Sequence, residues 1–199
     1  MKKKIIAIAL VAALLAIAII GGTLAYFTDT TETKENVFTI GNVDITLEEL
    51  NWEGEGSKDA PEIYPGEALK KDPQVKNDGA NPCFVRVKVE GLETFEGADP
   101  ITLRYLYADG YNTTDWFFYD GYYYYYSNGS GVLAKDATTA PVFDQIVFPY
   151  SWTNGDAKTE YSVDVTAYAV QAQGAKPSFS AVQSMTVEEI AAWFTTCGF

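Results

Sequence analysis

The sequence predicts an antiparallel all-β domain, a jelly-roll or Greek-key sandwich, with one short C-terminal helix and a signal-peptide helix ahead of it. Short runs of alternating apolar and polar residues recur between turn signals, as in sandwiches and barrels. Helical periodicity is confined to the end of the chain. An unbroken apolar run, Ile5 to Ile20, follows Lys2, Lys3 and Lys4 at the start.

The N-terminal layout is that of a secretory signal: a positive region, an apolar stretch, then the small-residue site Thr23-Leu24-Ala25. It places cleavage between Ala25 and Tyr26 and makes 1–25 the signal peptide. The apolar run of 16 residues is slightly long for a signal and short of the 18 or so that a spanning helix needs, so retention as an anchor is the competing reading. Membrane contact is expected only through this uncleaved segment. Residues 26–36 are polar and threonine-rich and read as a flexible arm; residues 37–199 read as one domain, a length suited to a single core.

Val37 to Leu47 alternates as strand, with a bend at Gly41; Asn51 to Ala60 is an acidic, glycine-rich loop. Tyr64-Pro65-Gly66 is a turn, because proline fits its first central position and glycine its second. Leu69 to Val75 reads as an edge strand, since Pro73 lacks the N–H a central strand needs. Another turn at Asn77-Asp78-Gly79 precedes Phe84 to Glu90, where Val85, Val87 and Val89 oppose Arg86 and Lys88. Ile101 to Tyr107 repeats the pattern with Ile101, Leu103, Tyr105 and Tyr107 inward. In Trp116 to Tyr126, Asp120-Gly121 between two aromatic runs signals a two-residue type I′ hairpin. A Ser/Asn/Gly loop at Ser127 to Gly131 leads toward strands at Gln145–Phe148 and Tyr161–Val170. Thr186 and Glu189 form a capping box that opens the one expected helix.

The formal charge is −13; cleavage would remove three lysines and no acid, leaving the mature chain near −16. Such a surface excludes nucleic acid as a partner and favours cations or basic proteins. The chain has no histidine, which removes Ser-His-Asp and Cys-His nucleophiles, H-E-x-x-H zinc sites and the usual neutral-pH base. Cys83 and Cys197 could close one disulfide, stabilising by up to about 4–5 kcal/mol for so long a loop, or could stay unpaired. The acids, among them Glu48, Glu49, Asp72 and Asp78, are expected to be solvated, against a paired-carboxylate hydrolase. No cofactor is expected; Ca²⁺ at Asn51 to Asp59 is a weak alternative, because the D-x-D-x-D-G order is missing.

Five consecutive tyrosines, Tyr122, Tyr123, Tyr124, Tyr125 and Tyr126, must divide between the faces of a strand. They read either as core of the sandwich or as an exposed aromatic face for glycans or subunits.

The segment Gly21-Gly22-Thr23-Leu24-Ala25-Tyr26-Phe27-Thr28-Asp29 resembles the processing site of the TasA/camelysin family. Tyr64-Pro65-Gly66, Lys71 to Asn77 and Phe84 to Val89 resemble that family's central block, and Thr39 to Ile45 its first strand pair. The resemblance implies export by a Gram-positive cell through a dedicated signal peptidase, a jelly-roll domain, and a place at the cell surface or in the extracellular matrix. It further implies biofilm fibres in which each subunit donates its freed N-terminal segment to the next, here Tyr26, Phe27 and Thr28 and onward to Val37 and Phe38. That is β-strand addition to an open edge. Self-association, with accessory matrix proteins or glycans, is the partner expectation. The metallopeptidase activity ascribed to camelysin does not transfer to a chain without histidine, so no enzyme is expected. The alternative is a monomeric, adhesin-like surface module using the tyrosine hairpin.

Overall fold

A computed structural model describes residues 43–56, 64–92, 99–153 and 162–199, which belong to one compact unit. The signal segment, Ala25, Tyr26, and the arm positions Phe27, Thr28, Val37 and Phe38 lie outside the described residues. The strands are β1 (Ile45–Glu48), β2 (Ala68–Lys70), β3 (Gln74–Asn77), β4 (Cys83–Glu90), β5 (Thr102–Tyr105), β6 (Ala108–Asp109), β7 (Trp116–Tyr119), β8 (Tyr122–Tyr125), β9 (Val132–Leu133), β10 (Gln145–Val147) and β11 (Asp164–Gln171). Two helices follow, α1 (Phe179–Gln183) and α2 (Val187–Thr196), and Trp52–Gly56 forms a π-helical turn.

Among the described residues all strand pairs are antiparallel. One sheet runs β11-β4-β8-β7, with β9 also pairing β4; a second runs β2-β10-β5-β6; β1 and β3 form a two-stranded ribbon. The all-β expectation is borne out. Inward residues of both larger sheets meet in one core: Val85, Val87, Trp116, Tyr123 and Leu133 from the first, Leu69, Leu103 and Ile146 from the second. Each fully buried aliphatic side chain in such a core contributes about 1.5–3 kcal/mol.

The helices give the first sheet a second apolar layer. Phe84, Tyr124 and Val170 pack there against Val182, Met185, Val187, Ile190 and Phe194. Thr186 and Glu189 form the reciprocal capping box at the start of α2. Its end is a Schellman motif: Gly198 takes φ 94°, its N–H donates to Thr195 O at 3.1 Å, and Phe199 N donates to Phe194 O at 3.1 Å. Trp193 Nε1 donates to Gln171 O at 2.9 Å, tying α2 to β11.

Three expectations change. Leu69 to Val75 is two strands in different sheets, β2 and β3; Pro73 cannot donate to a ladder, and its carbonyl instead accepts from Val142 N at 3.0 Å. The strand expected through Tyr107 stops at Tyr105. Leu106 and Tyr107 take φ 47° and 68° in a two-residue turn between the paired Tyr105 and Ala108, and Tyr107 is 92 % exposed rather than inward. A Leu-Tyr turn carries none of the Asn or Gly that normally announces one. The expected C-terminal helix is present as α2, but the shorter α1 precedes it, capped by Ser178.

Candidate functional site

The tyrosine hairpin forms as the sequence predicts. Tyr119 pairs with Tyr122 across Asp120 and Gly121, at φ 47° and 79°. Directly opposed side chains share a face, so Trp116 and Tyr125 point between the sheets, with Phe118 and Tyr123 beside them. Phe117, Tyr119, Tyr122 and Tyr124 point toward the helices. Tyr123 and Tyr124 are buried, and Tyr122, Tyr125 and Tyr126 are half-buried. The exposed aromatic residues lie instead on the neighbouring β7: Phe117 and Phe118 at 48 %, Tyr119 at 39 %. The five tyrosines therefore do not make the outward row that alternation suggests, because α2 covers the face it would occupy. Burial pushes the hydroxyls of Tyr123 and Tyr125 above their ordinary range.

On the helix side five rings close a circuit. Tyr122–Tyr124 (6.4 Å between centroids), Tyr124–Phe194 (5.9 Å), Phe194–Phe199 (6.2 Å), Phe199–Tyr168 (6.1 Å) and Tyr168–Tyr122 (6.0 Å) are successive edge-to-face contacts. Arg86 stands inside the circuit and is only 6 % exposed. Its guanidinium carbon is 3.8 Å from the Tyr122 centroid, 4.5 Å from that of Phe194 and 5.4 Å from that of Tyr168. Nη1 donates to Tyr124 Oη at 3.2 Å, while Nε is buried without an acceptor. Register explains the assembly: Arg86 opposes Tyr124 on β8 and Tyr168 on β11. Lys88 follows on the same face; a hydrogen bond to Glu90 (2.7 Å) holds its ammonium above its ordinary range.

The sheet edges differ. At the β7 edge, Trp116 N donates to Asn112 O (3.1 Å) and Phe118 N to Tyr111 Oη (3.3 Å). β11 pairs along all eight residues with β4, and among the described residues no other strand pairs with it. β1 comes close, but among the described residues its strand partner is β3. The inner row of β11, Val165, Ala167 and Ala169, is half-buried, although Val85 and Val87 opposite Ala169 and Ala167 are buried.

Cys83 is buried and Cys197 exposed, and each is a free thiol in the structure. Burial pushes the Cys83 thiol up to about 12. Two of the acids expected to be solvated are not. Asp72 is buried: Oδ1 accepts from Asn51 N at 2.8 Å and Oδ2 from Asn51 Nδ2 at 2.9 Å. Glu49 pairs with the buried Lys71 at 2.8 Å, whose ammonium also lies 4.8 Å from the Trp52 ring centre. These contacts link the turn at Asn51–Gly56 to the segment between β2 and β3. Asn51 thus presents donors to a carboxylate at the start of the segment considered for Ca²⁺, whose end lies outside the described residues.

Among known families, the one described as camelysin metallo-endopeptidase matches residues 1–90. The match spans the segments at 21–29 and 64–89 that carry the resemblance and supports the TasA/camelysin assignment over that part of the chain. No curated protein and no solved structure matches. The description implies a metal, and the donors among the described residues do not fit one. The chain has no histidine, its two thiols differ in burial, and among the described residues no three Cys, Asp or Glu side chains come together in a metal-holding group. A cleft lined by Asn51, Lys70, Leu106, Tyr107, Asp144 and Gln145 holds a single carboxylate, Asp144, whose Oδ2 accepts from Leu106 N at 2.8 Å.

Proposed function

We propose that the chain is a secreted or cell-surface structural protein, a biofilm-matrix fibre subunit that assembles by donating its N-terminal segment after signal cleavage. The observation that carries this reading is the outer edge of β11. It is eight residues long, and among the described residues it pairs with nothing beyond β4. Proteins ordinarily guard such an edge with lysine, proline or a bulge; β11 carries none, and its only charge is Asp164. Ala167 and Ala169 leave room on the inner side for larger side chains, and Val37, Phe38 and Ile40 of an incoming strand would supply them. The family match over residues 1–90 supports export, since it includes the signal-like segment and the Ala25–Tyr26 bond. A dedicated signal peptidase would then be the assembly switch, because an uncleaved segment stays in the membrane.

Mature protein starting at Tyr26, examined by light scattering and negative-stain microscopy, is expected to form fibres. Deleting residues 26–40, which removes Val37, Phe38 and Ile40 with the rest of the arm, is expected to leave a folded monomer. Fibres from the truncated chain, or a stable monomer of the intact mature chain at tens of micromolar, would overturn strand donation. The second outcome would favour a monomeric binding module, for which the exposed Phe117, Phe118 and Tyr119 are the place to look.

A further inference from the structure

The Arg86 circuit is independent of strand donation. A guanidinium has five N–H donors, and Arg86 uses one, through Nη1. The Nε side of the fork lacks an acceptor. The chain carries 27 acids against 14 basic residues, yet among the described residues no carboxylate forms an ion pair with this buried cation. Three aromatic faces stabilise the charge but accept no hydrogen bond in the guanidinium plane. Lys88, on the same face of β4, is paired with Glu90 at 2.7 Å, which leaves Arg86 as the cation without a carboxylate partner among the described residues of this face.

We propose that Arg86 and its aromatic circuit form a binding site for a carboxylate from outside the chain, carried on an aromatic or similarly apolar group. The planar, side-on fork of arginine matches a carboxylate with two parallel hydrogen bonds. The positive edges of the surrounding rings suit an anion, and their area suits an apolar body. Phe199 is the gate. It is 55 % exposed, and the Schellman bond anchors its backbone N–H but not its ring. Rotation about χ1 would open the circuit between Tyr168 and Phe194 without breaking the end of α2.

The test is equilibrium dialysis of the mature protein against radiolabelled benzoate, a readout that does not depend on whether the chain is monomer or fibre. One benzoate per chain is expected, displaced by excess unlabelled benzoate and not by neutral benzyl alcohol. Arg86→Lys keeps the charge but loses the fork, and its binding should be at least about tenfold weaker. Phe199→Ala, at an exposed position, should fold whether or not the arginine variant does, and should change the affinity several-fold. No saturable binding at about 10 mM (a free energy of only about −2.7 kcal/mol), equal displacement by benzyl alcohol, or unchanged affinity in Phe199→Ala would overturn the site.

Discussion

The guanidinium carbon of Arg86 stands 3.8 Å from the centre of the Tyr122 ring, on the face of β4 that alternation assigns to water. The side chain stays there because α2 is laid across that face and Phe194 closes over it at 4.5 Å. Its methylene stem is buried and its head is held by aromatic faces, so truncation removes packing and cation–π attraction together.

Arg86→Ala is therefore expected to destabilise the domain by about 2–3 kcal/mol, measured by urea unfolding. Lys88→Ala, two residues on at a part-exposed position, should leave the urea midpoint close to that of the parent. A cost below about 1 kcal/mol for Arg86→Ala would mean that the circuit does not hold the helix to the sheet.

The thiols give a prediction with a defined pH sense. Cys83 is completely buried and its thiol is pushed up to about 12, while Cys197 is exposed. Native protein at pH 8 should react with one equivalent of Ellman's reagent, and unfolded protein with two. The folded value of Cys83 lies above the unfolded value of 9.0, so its contribution is full below pH 9 and is lost as the pH rises toward 12. Cys83→Ala should flatten that alkaline loss of stability. No reactive thiol in the native state without reductant would point to a bridge.

The sequence announces those parts of the fold whose cause is local. Asp120-Gly121 sets its hairpin because both residues accept positive φ, and Thr186 with Glu189 caps α2 because the side chains reach the free N–H groups of one turn. What it hides depends on distant partners. Nothing near Arg86 says that a helix a hundred residues later will cover it, so the residue reads as solvated. Asp72 likewise reads as a loop acid until Asn51 arrives to donate twice. The choice between core and exposed face for the tyrosines of β8 is open in the sequence for the same reason: alternation gives the two faces of a strand but not which face a later element will bury.

The turn at Leu106 and Tyr107 carries backbone strain at both positions, φ 47° and 68°, for little packing in return, since both side chains are exposed. Left-handed backbone costs a residue with a Cβ about 1–2 kcal/mol. Replacing the pair with Asn-Gly, which suits a type I′ turn, should raise stability by about 1–2 kcal/mol and the thermal midpoint by several degrees. A loss of stability instead would show that the Leu106 or Tyr107 side chain contributes more than its exposure suggests.

Strand donation to β11 can be separated from donation to β7 by one pair of substitutions. Ala167 and Phe118 both lie on terminal strands of the same sheet and both point toward the inter-sheet side. A lysine pointing inward on an edge strand blocks pairing, because an added neighbour would have to bury its ammonium. At Ala167 the residue is half-buried, so the lysine head can still reach water in the isolated domain, and a cost of no more than about 2 kcal/mol is expected. Fibre formation by mature Ala167→Lys protein should fail while its circular dichroism stays that of the parent. Phe118→Lys should polymerise normally, because the outward N–H groups of Trp116 and Phe118 already donate to Asn112 O and Tyr111 Oη and leave an incoming strand little to bind. Normal fibres from Ala167→Lys, or their loss in a folded Phe118→Lys, would move the acceptor away from β11 and with it the role assigned to the open row of Val165, Ala167 and Ala169.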